Sequence, residues 1–289
     1  MRKDSVIGIG VPFVIFLAFI GAWWFVADTF YGNAKYILPS PLDTFIAGRD
    51  NFPDLVSAFF VTLFSALNAL AFAGVVGVCV AVAMSQSRML ERGLYPYAIM
   101  LQTVPIVSII PIIVLWWGFT RTSVVIVAFI MALFPIINNT LLGLKSIDAA
   151  HEELFRMHKA GRFTVLTKLR FPGAVPYMVA GFRIASGLSV IGAIVGEFII
   201  GTGGSARGLG VSIIFAQAQL KTPLLFAQVI AATLLGIGLF LLVSLIGSRI
   251  TSLWETPKRA IAEEATPSDA STAPGGRRDA DGLGEVRQH

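Results

Sequence analysis

Long apolar runs separated by short polar segments are the main pattern of this chain. Each run exceeds the roughly 20 residues that a helix needs to cross a hydrocarbon core about 30 Å thick. The runs do not alternate polar and apolar residues, as the strands of a membrane barrel do. The pattern predicts an all-α polytopic membrane protein with about six transmembrane helices, at residues 6–30, 55–84, 94–118, 123–144, 177–200 and 224–246.

The third and fourth runs contain prolines with polar residues beside them. Pro105, Pro111 and Pro135 each remove a backbone hydrogen bond, which predicts kinked helices. Polar groups at membrane depth usually face protein or a water-filled path. Several polar residues are therefore candidates for a transport pathway, unless they only satisfy kinked backbone: Gln102, Thr103, Asn138, Asn139, Ser186, Ser189 and Glu197.

Small residues recur at every fourth position in the second and fifth runs. They are Ala69, Ala73, Gly77, Ala81 and Ser85, and then Gly181, Ala185, Ser189 and Ala193. This spacing lets helix backbones approach closely in lipid. Packing within one subunit is the simpler explanation of both stripes, and a further possibility is that the fifth run also borders a pore or a dimer seam. Glu197 is next in line, and it could carry a proton, pair with Arg207 or cap a local helix end.

The basic residues are distributed unequally between the two sides of the predicted membrane. Of the 22 Lys and Arg residues, sixteen fall on the side of the N-terminus, five on the other side, and Arg183 lies within a run. Basic residues favour the cytoplasmic side, so the distribution predicts that both termini are cytoplasmic. Because these charges flank membrane spans, the basic balance does not indicate a nucleic-acid partner.

The longest polar interruption is a basic segment, residues 148–172, on the predicted cytoplasmic side. A helix is expected from Ala149 to about Leu169, before Pro172 and Pro176 break it. Its apolar residues form one stripe, with Leu154, Met157 and Gly161 at the centre and Phe155, Phe163 and Leu166 beside them. A helix of this kind either lies on anionic headgroups or docks into a cleft of a cytoplasmic protein. We call residues 148–172 the charged segment.

Motifs of catalysis are missing from the sequence. No G-x-x-x-x-G-K-[ST] phosphate loop occurs, so the chain is not expected to hydrolyse ATP itself. His151-Glu152 begins like a zinc-protease helix, but Phe155 stands where the second His belongs. No Ser or Cys nucleophile has a partner base. We expect no enzyme activity, no metal site and no cofactor in this chain.

The composition changes after Trp254. Residues 255–289 are rich in Ala, Pro, Ser, Gly and charges of both signs, with few large apolar side chains. Such a segment cannot bury a core. The chain is therefore predicted to comprise a transmembrane domain, residues 1–254, and a disordered cytoplasmic tail, residues 255–289.

The order of several short motifs resembles the membrane subunits of binding-protein-dependent ABC importers. The similarity is strongest to the branch that carries nitrate, sulfonates, taurine and thiamine-pyrimidine or riboflavin-type compounds. The matching motifs extend over most of the chain: ILPSP at 37–41, PIVSIIP at 105–111, LWWGF at 115–119, FP at 134–135, LRFPGAVP at 169–176, GFRIASG at 181–187, VIGAIVGEF at 190–198 and GLG at 208–210.

This resemblance implies the permease subunit of an ATP-driven importer in the cytoplasmic membrane of a prokaryote. Its expected partners are a second permease copy, two ATP-binding subunits that hold the ATP and Mg, an extracytoplasmic solute-binding protein and membrane lipid. The resemblance also implies that the ATP-binding subunits dock on the charged segment, at Glu153, Leu154, Phe155, Met157, Lys159, Gly161, Arg162, Phe163 and Pro172.

One position departs from the family's cytoplasmic signature, which has Glu-Ala-Ala, three residues, Gly, nine residues and Ile-x-Leu-Pro. Aligned on Pro172, this chain has Glu153 in place, but Lys159 stands where the family has glycine. The local geometry of the segment is therefore the feature that the sequence leaves open.

Three other functions remain as alternatives. A stand-alone secondary transporter or channel predicts ionisable residues near the bilayer midplane and internal repeats, and Arg183 and Glu197 are its main support. A membrane-embedded enzyme requires a cluster of acids, histidines or metal ligands. A lipid-surface anchor requires only the amphipathic character of the charged segment.

Overall fold

The computed structural model of the protein describes residues 3–31, 37–201 and 207–254. The predicted tail at 255–289 lies outside these residues, as do residues 32–36 and 202–206. In the described part the chain is helical throughout: α1 (Lys3–Tyr31), α2 (Pro41–Asp50), α3 (Phe52–Gln86), α4 (Arg88–Thr103), α5 (Ile106–Trp117), α6 (Arg121–Lys145), α7 (Ala149–Met157), α8 (Arg162–Val165), a π-helical turn (Leu166–Arg170), α9 (Phe171–Ile200), α10 (Leu209–Ala218) and α11 (Thr222–Trp254).

The number of spans agrees with the sequence prediction. Five helical stretches of the described residues are long and apolar enough to cross a membrane: 10–30, 52–86, 121–145, 162–200 and 222–252. The pair α4 and α5 adds a sixth if it is counted as one interrupted span. The all-α polytopic fold is confirmed.

The third run differs from its prediction, because it is broken and not merely kinked. The axes of α4 and α5 differ by 99°. Pro105 forces the preceding Val104 out of the helical region, and Val104 accordingly has φ −70° and ψ 127°. Pro111 and Pro135, in contrast, lie inside α5 and α6.

Another helix runs through prolines that were expected to end it. The prediction that Pro172 and Pro176 interrupt the chain is wrong, because α8, the π-helical turn and α9 follow one another as one helical stretch of 39 residues. The Phe171 N–H donates to the Leu166 carbonyl, one residue further back than in an α-helix. This wider turn relieves the clash that the Pro172 ring would make with the carbonyl four residues before it.

The helix α6 forms the centre of the fold and packs against α3 and α9. Small residues bring the backbones together. A side chain at Gly192 would place its Cβ 2.6 Å from the Ala128 Cα, and one at Gly143 would come within 3.0 Å of the Ala174 Cα. On α3, Gly77 lies against Ile136 in the same way.

Both stripes of small residues are therefore used inside one subunit. Ala69, Ala73, Ala185 and Ala193 are fully buried within the described chain, and Gly181 lies against Asn139 of α6. Packing within the subunit was one of the two interpretations of the sequence pattern. The further interpretation, that the fifth run also borders a pore or a dimer seam, stays a prediction, because a helix that packs on one face can still line a path with another.

The close approach of α6 and α9 predicts that Gly192→Ala destabilises the protein. The added methyl group overlaps the α6 backbone, so we expect the free energy of unfolding to fall by about 1–3 kcal/mol. Gly187→Ala on the same helix is the matched control, because no atom lies within 4 Å of the position of its Cβ. Thermal unfolding in detergent should give a lower midpoint for the first variant only. Equal midpoints would contradict the packing.

Candidate functional site

The charged segment begins with a short helix that is fixed at both ends. The Asp148 side chain accepts a hydrogen bond of 3.2 Å from the Ala150 N–H at the start of α7. At the other end, the Lys159 N–H donates to the Arg156 carbonyl and the Ala160 N–H to the Phe155 carbonyl, both at 3.0 Å. These two bonds form a Schellman motif, which satisfies the last carbonyls of a helix. The chain then turns before α8, so the single helix expected from Ala149 to about Leu169 is wrong.

Lys159 occupies the position of this motif that favours glycine. Its φ is +50°, in the left-handed region, where a Cβ crowds the following carbonyl. The family has glycine at this position, and the backbone conformation gives the physical reason. Lys159 adopts the conformation that favours glycine and carries the associated backbone strain.

The turn separates the predicted apolar stripe into two parts. Leu154 and Met157 lie on α7 and are 50% and 75% exposed, whereas Phe163 lies on α8 and is 77% exposed. Phe155 is half-buried, and Gly161 is the residue before α8. Glu153 forms a surface ion pair of 3.4 Å with Arg156. Arg162 is the first residue of α8, and Pro172 is the second residue of α9. The residues that the resemblance assigned to docking thus lie at one end of the molecule but not on one helix face.

Ion pairs connect α7 to the spans. The Arg170 guanidinium, in the π-helical turn, pairs with the Glu152 carboxylate of α7 and donates a 3.4 Å hydrogen bond to the Ser85 carbonyl of α3. A second pair joins Lys145 of α6 to Glu91 of α4 at 2.6 Å. Arg170 therefore connects α7 to the turn that precedes α9 and, through Ser85, to α3.

A basic cavity of about 750 Å³ lies between the charged segment and the adjacent ends of α3, α4 and α6. Five cationic and two acidic side chains line it: Arg88, Arg92, Lys145, Arg162, Arg170, Glu91 and Glu152. Because both acids are already paired, the cavity has an excess of positive charge facing the docking residues.

A buried polar cluster joins three helices near the other end of α9. Glu197 and Thr62 are almost fully buried, and the Thr62 hydroxyl donates to the Glu197 carboxylate at 2.9 Å. The Gly210 N–H donates to the same carboxylate, and the Leu209 N–H donates to the Thr62 oxygen, each at 2.8 Å. The cluster thus caps the N-terminus of α10, where backbone donors have no partner within the helix. Local capping was one of the three roles considered for Glu197.

Pairing between Glu197 and Arg207 is not observed. The Arg207 guanidinium instead stacks on the Phe215 ring, 4.2 Å from its centroid. Gly208 packs directly against the carboxylate, which leaves no room there for a larger residue. The expectation of an ion pair with Arg207 is wrong, because α10 itself supplies the hydrogen-bond donors.

The other pathway candidates lie apart from one another. Gln102 and Thr103 are exposed at the end of α4. On α6, Asn138 accepts a 3.1 Å hydrogen bond from Tyr95, and Asn139 donates to the Pro135 carbonyl at 2.8 Å. Ser186 and Ser189 are fully buried and donate to carbonyls of their own helix, those of Arg183 and Ser186. A role of these residues in transport stays a prediction.

Sequence reasoning missed three residues that the structure makes prominent. Thr62 completes the Glu197 cluster, and Arg170 joins α7 to the spans. Arg183, a charge inside a membrane span, was noted but was not included among the pathway candidates. The position of Arg183 in an apolar run was the sequence signal that would have made it a pathway candidate.

Metal coordination has no support in the described residues, where no group of three or more His, Cys, Asp or Glu residues comes together. The single cysteine, Cys79, is exposed on α3.

The strain at Lys159 predicts that Lys159→Gly stabilises the end of α7. Relief of the left-handed conformation should stabilise the motif locally by about 1 kcal/mol. Hydrogen exchange of the Lys159 and Ala160 amides should then slow several-fold. Lys159→Ala is the control, because it keeps a Cβ and should leave both rates unchanged. Slower exchange in both variants would exclude backbone strain as the cause.

The buried cluster predicts that Thr62→Val destabilises the protein. The substitution leaves the Leu209 N–H without a partner and removes a donor from the carboxylate, so we expect a loss of about 1–3 kcal/mol. Thr62→Ser keeps the hydroxyl and should lose less. The thermal midpoint in detergent distinguishes the two variants, and equal losses would show that the methyl group matters more than the hydrogen bonds.

Comparison with known proteins identifies the family of the chain. Residues 73–252 match the family described as binding-protein-dependent transport system inner membrane component. The formylaminopyrimidine transport permease protein ThiX of Halalkalibacterium halodurans is 33% identical over 77% of this chain and 88% of its own length. The riboflavin transport system permease protein RibX of Chloroflexus aurantiacus is 31% identical over 86% of this chain and 90% of its own length.

The fold has a counterpart among solved structures. An inward-facing structure of the MetNI methionine ABC transporter matches 72% of this chain and 99% of the compared chain, with a TM-score of 0.59 and 19% identity. The motifs and the sequence relatives agree on the nitrate, sulfonate and thiamine-pyrimidine branch of this family, and the solved structure agrees with the fold. The chain belongs to the inner membrane components of binding-protein-dependent transport systems and is a multi-pass protein of a prokaryotic cytoplasmic membrane.

Proposed function

We propose that this chain is the permease subunit of an importer driven by separate ATP-binding subunits that dock on the charged segment. Two copies would enclose the path, and an extracytoplasmic solute-binding protein would deliver a small organic solute. ATP and Mg would be bound by the docked subunits. Membership of the family and the transporter names of the relatives support the translocation role.

The unequal distribution of basic residues supports the orientation of the proposal. With both termini in the cytoplasm, the charged segment and the basic cavity face the cytoplasm. The Glu197 cluster and α10 then lie on the external side, where a solute-binding protein would approach.

Exposed apolar side chains on a rigid support are the observation that carries the docking proposal. Leu154, Met157 and Phe163 expose their side chains at the end of the molecule. Capping by Asp148 and the Schellman motif at Lys159 fix the conformation of α7 before any partner arrives. A helix that is already ordered loses little conformational entropy on binding.

The basic cavity behind α7 supports a protein partner over a lipid surface. Arg88, Arg92 and Arg162 line a concave space of about 750 Å³ and form no ion pair within the described residues. A concave basic surface beside apolar anchors is complementary to a protein that presents acidic side chains around an apolar cleft.

The connections of the charged segment explain how docking would move the spans. A displacement of α7 is transmitted through Glu152 and Arg170 to the π-helical turn, and α9 continues that turn without a break. Because α9 packs closely on α6, both helices would tilt together. ATP-driven closure of the docked subunits would thereby open and close the path.

Co-purification with candidate ATP-binding subunits tests the docking proposal. Replacement of both Leu154 and Met157 by Ser removes two apolar anchors, so we expect the recovered complex to fall at least about tenfold. His151→Ser is the control on the same helix, because it lowers helix propensity outside the proposed contact. The control variant should be recovered at the level of the unmodified chain.

Two results would contradict the proposal. Undiminished recovery of the doubly substituted chain would show that these side chains are not the anchors. Uptake by the reconstituted chain in the absence of ATP would favour a stand-alone transporter or channel.

A further inference from the structure

Arg183 is a basic side chain in the interior of a membrane-spanning helix. It lies on α9, twelve residues from Phe171 and seventeen from Ile200, which places it about 18 Å from one end and 25 Å from the other. A charged side chain at this depth raises the free energy of the membrane-inserted state unless it faces a partner or water. The arrangement around Arg183 therefore needs an explanation.

No described residue pairs with the Arg183 side chain. It forms no ion pair or hydrogen bond in this part of the chain, and its Nε is buried without a partner. Glu197, the acid on the same helix, is about 21 Å away and is engaged at α10. The Ser186 hydroxyl, one turn away, donates to the backbone carbonyl of Arg183 and forms no hydrogen bond with its guanidinium.

A second unpaired polar group lies at the same level on α11. Gly247 lies directly against Val179, and Gly236 approaches Val190, so α9 and α11 run antiparallel here. This register puts Ser244 beside Arg183, and the Ser244 hydroxyl is also buried without a partner. Two buried polar groups without a partner therefore lie at the same level of neighbouring helices, and no hydrogen bond joins them.

Open space adjoins this pair. Gly187 lies one turn after Arg183 on the same face of α9, and no atom is found within 4 Å of the position that its Cβ would take. Arg183 itself is half-buried, and its terminal nitrogens are not enclosed as Nε is. Arg183 thus combines a buried Nε with terminal nitrogens that are not enclosed, and unoccupied volume lies one turn away at Gly187.

We infer that Arg183 borders the aqueous transport path and selects solutes by charge, favouring those with an anionic group and disfavouring cations. A guanidinium offers five N–H donors and a permanent positive charge, which suit carboxylate, sulfonate or phosphate groups. Ser244 would add one further donor. The inference rests on the proposed transport function and names the class of solute that its path would favour.

Cysteine accessibility tests this inference without knowledge of the natural solute. Gly187→Cys, in a Cys79→Ser background, places one thiol about 6 Å from Arg183. Permeabilised membranes that contain the full chain are treated with anionic sulfonatoethyl or cationic trimethylammonioethyl methanethiosulfonate. Each labelling rate is divided by the rate of the same reagent with a small thiol in solution. The anionic reagent should then be favoured at least about tenfold.

Variants of Arg183 identify the source of this preference. Arg183→Lys should keep most of it, whereas Arg183→Gln should bring the ratio close to one. Raising the ionic strength should lower the ratio in the unmodified background, which provides a second measurement if the Gln variant does not accumulate. Phe72→Cys, an exposed position on α3, is the lipid-facing control and should resist both reagents.

Two results would overturn the inference. Absence of labelling at Gly187→Cys by either reagent would show that no water reaches Arg183. An unchanged ratio in Arg183→Gln, or a ratio insensitive to salt, would remove Arg183 as the cause. The labelling requires no ATP-binding subunit, so failure of the docking experiment would leave this result interpretable.

Discussion

The close approach of α6 and α9 is the constraint on which the rest of the structure depends. In lipid, apolar side chains gain little from association, so helices are held together by backbone proximity and complementary shape. Gly192 and Gly143 allow that proximity. Because α9 continues into the π-helical turn and α8, the same contact fixes the direction from which the charged segment leaves the membrane.

The charged segment contains a short helix that is fixed at both ends and connected to the spans. Asp148 fixes its start, the turn at Lys159 fixes its end, and Glu152 and Arg170 connect it to the spans. A flexible segment would absorb a displacement, whereas a braced one passes it to α9. Lys159 keeps the left-handed conformation of this turn, although glycine would adopt it with less strain.

The two charged residues of α9, Glu197 and Arg183, lie in opposite environments. Glu197 is buried and receives hydrogen bonds from Thr62 and Gly210, so it connects helices. Arg183 has no partner in the described residues and lies beside open space. A satisfied polar group stabilises a membrane fold, whereas an unsatisfied one remains available to bind a solute. This contrast is the basis for assigning Glu197 a structural role and for proposing a transport role for Arg183.

Apolar run length by itself determined the all-α class and the number of spans, because the thickness of the hydrocarbon core sets the length of a spanning helix. The motifs likewise identified the family and the charged segment. Tertiary structure decided what depends on geometry: the 99° break at Pro105, the continuous helix through Pro172 and the partners of Glu197. A proline has the same sequence signal whether a helix breaks or widens around it, and a buried acid finds its donors on helices that are distant in the chain. Neither outcome can be deduced from residue spacing, because each depends on which backbones come into contact.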